Sequence, residues 1–106
     1  MTLEEIQRLI DEKPGVLLYF SGETCNVCHA LRPKYKALFD EKFPLIEQVF
    51  LDAHKHSDIA VHFNVFSVPT AIIFLGGREF AREGRAVSMQ QLEEKLSRPY
   101  AIMTEA

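Results

Sequence analysis

Residues 16–20 read VLLYF, five apolar side chains in a row with no polar residue between them. A strand with one wet face alternates apolar and polar residues, so a run without alternation reads as a strand buried on both faces. Each face needs a cover. In a chain of 106 residues, helices packed above and below a sheet supply it.

The flanking sequence contains such helices. Leu3, Ile6, Leu9 and Ile10 recur at helical spacing, Thr2 and Glu5 form a capping-box pattern, and Pro14-Gly15 stops the segment. Cys28, Leu31, Tyr35, Leu38 and Phe39 predict a long helix over residues 25–42, kinked at Pro33, with Pro44 after its end. Residues 46–51 read as a second strand. Ser57 is expected to cap a short helix over 58–63 that stops near Asn64. Residues 71–75 (AIIFL) and 78–82 predict two strands joined by Gly76-Gly77, a hairpin signal. Ser88 and Gln91 form another capping-box pattern, opening a last helix with Met89, Leu92 and Leu96 on its apolar side. Residues 99–106 read as a C-terminal tail docked through Tyr100. The expected architecture is a single α/β domain: a central mixed four-stranded sheet flanked by helices on both faces.

Charge and composition exclude several classes. A net charge of −3 gives no electrostatic basis for binding nucleic acid, and no apolar run is long enough to cross a bilayer. The opening MTLEEIQRLI is acidic and amphipathic and lacks the basic and apolar regions of a secretory signal. A cytosolic location is the expectation, although an exported form with its signal trimmed would read the same. The chain has two cysteines, Cys25 and Cys28, so a structural disulfide framework is ruled out and a catalytic or metal-binding pair is left.

Cys25 falls where the buried strand passes into the N-terminus of the long helix. Unpaired N–H groups and the helix dipole stabilise an anion there, which favours the reactive thiolate. Cys28 lies one turn further on, toward the apolar side. An accessible nucleophile beside a shielded thiol is the division that disulfide exchange requires: Cys25 attacks, and Cys28 resolves the mixed disulfide. Two buried cysteines serving only as small hydrophobes are the bland alternative.

Three groups of residues, VLLYFSGETCNVCHALRP, then SVPT, then the Gly-Gly hairpin with REGR, resemble the thioredoxin family over nearly the whole chain. The resemblance implies a thioredoxin fold and a protein-disulfide reductant. It makes Pro33 the helix-kinking proline, Pro69 a cis proline following Val68, and Gly84 a glycine facing the same groove. Thr24, Val68, Pro69 and Gly84 would line the substrate site. No cofactor is implied, because the Cys25–Cys28 dithiol carries two electrons itself. The implied partners are protein or peptide disulfides and an unidentified upstream reductase, with the chain working as a monomer.

The chain departs from the family pattern at several positions. Thr24 replaces the usual Trp before the first cysteine, and Asn26-Val27 replaces the common Gly-Pro. Tyr19 stands in the place of a buried Asp, and Phe50 in the place of its frequent Lys partner. Losing both charges together avoids an unpaired buried ion. His29, four residues after Cys25, shares its helix face and is a candidate for tuning Cys25, with Glu23 opposing it.

Other readings use the same residues. Cys25 to His29 formally matches a c-type haem attachment motif, with Met103 as a second ligand, but a haem protein has no use for VLLYF or V-P-T. Cys25, Cys28, His54, His56 and His62 are possible zinc ligands, without a second pair at standard spacing. A redox-sensing or chaperone-like binding module on the same fold is the remaining alternative.

Overall fold

A computed structural model describes residues 1–105. The elements run α1 (Leu3–Glu12), β1 (Gly15–Ser21), α2 (Asn26–Lys42), β2 (Ile46–Asp52), α3 (Ser57–His62), β3 (Thr70–Leu75), β4 (Arg78–Glu83) and α4 (Met89–Thr104). The four strands lie in the order β2-β1-β3-β4. β1 is parallel to β2 and antiparallel to β3, and β4 closes the sheet antiparallel to β3.

β1 is the second strand of this sheet and is covered on both faces, as the unbroken apolar run requires. Val16, Leu18 and Phe20 point into one core, against Ile6 and Ile10 of α1 and Ile59 of α3. Leu17 and Tyr19 point into the other, against Tyr35 and Phe39 of α2 and Leu92 and Leu96 of α4. The period-two geometry of the strand divides its side chains between the two layers. This is a mixed four-stranded sheet with helices on both faces.

Local signals set several boundaries. Thr2 and Glu5 complete a reciprocal capping box on α1. Gly76 and Gly77 have φ of 58° and 83°, the left-handed conformations that a two-residue hairpin turn needs. Asn64 also adopts positive φ, at 58°, just after α3.

Some expectations are corrected. Ser57 is the first residue of α3 and not its cap. His56 takes the cap position without a side-chain bond, because the preceding turn is held instead by the Asp52 carboxylate, which accepts from the N–H groups of His54 and Lys55 at 2.8 and 3.1 Å. Ser88 accepts from the Gln91 N–H, but only this half of the expected box forms. Residues 99–104 are not a tail: α4 runs through Pro99 to Thr104, and residue 106 of the expected tail lies outside the described residues. A proline inside a helix removes a hydrogen bond and costs about 3 kcal/mol, which made a stop the better reading of the sequence. Tertiary contacts offset this. The Tyr100 ring packs on Phe43 with centroids 5.1 Å apart, and its hydroxyl accepts from the Leu45 N–H at 3.0 Å.

Candidate active site

Cys25 is the N-cap of α2, where its sulfur accepts from the Cys28 N–H at 3.1 Å. The capping position is fixed on both sides: the Cys25 N–H donates to the Gly22 carbonyl and the Cys25 carbonyl accepts from His29 N–H, each at 3.2 Å. Cys25 is half-buried, whereas Cys28, one turn inward, is completely buried. The two are joined as a disulfide with their Cα atoms 5.2 Å apart.

The loop between α3 and β3 comes back to this point. The Val68-Pro69 peptide bond is cis, Pro69 is buried and Val68 half-buried. Gly22 links the loop to the disulfide. A Cβ built on it would stand 3.4 Å from Val68 Cγ2 and 3.7 Å from Cys25 Cβ. Among the described residues the main-chain N–H and C=O of Val68 have no hydrogen-bond partner. Thr70 opens β3 and donates its hydroxyl to the Ser67 carbonyl at 2.7 Å, which holds the loop.

The other sequence-derived candidates fall around this centre. Thr24 is exposed, directly before Cys25. Gly84 is exposed and borders a cleft with Phe66, Ser67 and Thr70. Glu23 and His29 meet in a polar cleft with Arg32, Asp52 and Lys55. Among the described residues no three or more His, Cys, Asp or Glu side chains come together to hold an ion.

The sequence marked Tyr19 and Phe50 as departures from the family pattern, but Arg32 and the contacts among these residues escaped it. The Tyr19 hydroxyl, buried beneath α2, donates to the Cys28 carbonyl at 2.7 Å. Burial pushes its pKa above the ordinary tyrosine range, against an opposing pull from Arg32, so the phenol stays protonated and remains a donor. Tyr19 and Phe50 are register partners across β1 and β2, with ring centroids 5.8 Å apart. The Arg32 guanidinium lies over the Phe50 ring, 4.4 Å from its centroid. An aromatic pair with a cation at its outer edge fills the region under the cysteines. No spacing in the sequence links Tyr19, Phe50 and Arg32; the packing of α2 on the sheet makes them neighbours.

Comparison with known proteins agrees with this geometry. A family model described as Thioredoxin matches residues 2–98. The thioredoxin-like protein YdfQ of Bacillus subtilis is 37% identical over 101 residues, 95% of this chain and 89% of that protein. Thioredoxin 1 of Thermosipho africanus superposes with a TM-score of 0.73 at 28% identity, over 82% of this chain and 96% of that one. The oxidised thioredoxin of Plasmodium falciparum shares the fold, with a TM-score of 0.76 at 22% identity, over 89% and 91% of the two chains. With its cysteines paired at the head of α2 and both sequence comparisons extending over most of its length, this chain belongs to the thioredoxin family and is a thiol–disulfide oxidoreductase.

Proposed function

We propose that the protein reduces disulfides of proteins and peptides, with Cys25 as the nucleophile and Cys28 as the resolving thiol. The supporting observation is the unequal exposure of the two cysteines at a helix N-terminus, beside a loop with free main-chain groups. The Cys25 thiolate attacks one substrate sulfur and expels the other as a thiolate. Cys28, having given up its proton, attacks Cys25 and expels the second substrate thiolate. The substrate gains two electrons and the enzyme is left as the Cys25–Cys28 disulfide, which an upstream reductase has to reduce again.

Val68 presents its main chain to an extended substrate segment, in the manner of an added strand. Pro69 shapes the loop that exposes it, and Thr24 and Gly84 form the outer margins of the groove. No organic cofactor or metal takes part. The protein acts as a monomer, and such a reductant works where thiols are kept reduced, as in the cytosol. Insulin reduction with dithiothreitol as electron source tests the reading. Catalytic amounts of the protein should shorten the lag before the insulin chains precipitate. A lag equal to that of dithiothreitol alone would favour a binding or sensing module.

His29 and Glu23 tune Cys25 from the first turn of α2 and the loop before it. A protonated imidazole one turn away favours the Cys25 thiolate, and a carboxylate disfavours it. In His29→Ala the pH midpoint for alkylation of Cys25 should move upward, and in Glu23→Gln downward. Unchanged midpoints in both variants would remove these residues from the site.

A further inference from the structure

Phe66 is 79% exposed, the highest value for any large apolar side chain among the described residues. It lies in the loop between α3 and β3, two residues before Val68. The loop is not loose there. Val65 and Pro69 are buried on either side, and the hydrogen bond from Thr70 to the Ser67 carbonyl holds the turn between them. The ring is therefore presented to water by an anchored segment. Folding gains nothing from that placement, whereas exposed, preorganised aromatic rings are what recognition surfaces use.

Phe66 forms one wall of a cleft of about 250 Å³, with Ala60 and Val61 of α3, Val68 and Gly22. This is smaller than the roughly 300–1,000 Å³ of sites for drug-sized molecules and cofactors, and suits one apolar side chain. The cleft adjoins the disulfide through Gly22, which lines it: a Cβ built on Gly22 would stand 3.7 Å from Cys25 Cβ. A peptide whose cysteine lies at Cys25 advances about 3.3 Å per residue when extended, so the residues flanking that cysteine run past the cleft lined by Gly22 and Val68. The chain has no Trp, and the exposed residue before Cys25 is Thr24. Phe66 thus offers an exposed aromatic ring on the cleft that Gly22 also lines.

We infer that Phe66 determines substrate choice: it packs against an aromatic or branched aliphatic side chain next to the disulfide-bonded cysteine of a polypeptide substrate, seated in the cleft between Val61, Val68 and Gly22. This rests on the reductant reading above.

The test compares wild type, Phe66→Ser and Phe66→Leu on a peptide disulfide with Phe beside its cysteine, the same peptide with Ser there, and bis(2-hydroxyethyl) disulfide. Phe66→Ser should lower kcat/KM for the Phe peptide roughly tenfold, the scale of one lost apolar contact. The Ser peptide and the small disulfide should be reduced as by wild type, and Phe66→Leu should recover most of the loss. Equal losses on all three substrates, or no loss on the Phe peptide, overturn the inference and leave the reductant reading standing. A wild-type dimer in sedimentation that Phe66→Ser dissociates assigns the ring to a self-interface and also overturns it. A wild type inactive on all three substrates overturns the reductant reading, and this inference with it.

Discussion

Cys25→Ser should abolish disulfide reduction, lowering kcat/KM by about 10³-fold or more, since the hydroxyl that replaces the thiol is a far weaker nucleophile at neutral pH. Cys28→Ser should behave differently. Its Cys25 still attacks, but nothing resolves the product, so the variant accumulates as a mixed disulfide with its substrate. Mass spectrometry under non-reducing conditions reads this as an adduct on Cys25 that dithiothreitol removes. The asymmetry follows from position: Cys25 is half-buried at the helix cap, and Cys28 is sealed one turn inside. An adduct on Cys28 in the Cys25→Ser variant, with none on Cys25 in Cys28→Ser, would reverse the assignment. Circular dichroism of both variants separates a lost nucleophile from a lost fold.

The parts of this arrangement that were legible in the sequence are those set by local spacing. The unbroken VLLYF run predicts a strand with two buried faces, and the structure divides its residues between two cores. Gly76-Gly77 predicts a hairpin, and both residues have the required positive φ. The unread parts depend on which distant segments meet. Pro99 looks like a stop until Tyr100 is seen packed on Phe43. The pattern V-F-S-V at residues 65–68 gives no sign that Val65 is buried and Phe66 is not. The resemblance marked Tyr19 as a missing Asp, which describes a loss. The bond from its hydroxyl to the Cys28 carbonyl is a contact between mid-strand and helix that no spacing rule contains.

Tyr19→Asp tests what that exchange of residues means physically. It should destabilise the protein by about 3–5 kcal/mol, the scale of removing a buried aromatic side chain, and a large share of the ~5–15 kcal/mol that holds a domain together. The new carboxyl would sit in the core opposite Phe50, with no cationic register partner. Burial raises its folded pKa above the unfolded value of about 3.9, against the opposing pull of Arg32. Below that pH both states are protonated and only the packing loss is felt. As pH rises through ~3.9 the unfolded chain ionises first, and the destabilisation grows until the folded carboxyl itself ionises. Urea midpoints should therefore fall further below wild type at pH 7 than at pH 4. Adding Phe50→Lys supplies the missing partner across the strand pair, so the double variant should recover about 1–3 kcal/mol relative to the sum of the single changes. Tyr19→Phe keeps the ring and loses only the hydrogen bond to Cys28, for a cost near 1 kcal/mol. If Tyr19→Asp alone melts like wild type at pH 7, or if the two substitutions simply add, the aromatic pair is not a replacement for a buried ion pair, and the region under Cys28 is wetter than its packing indicates.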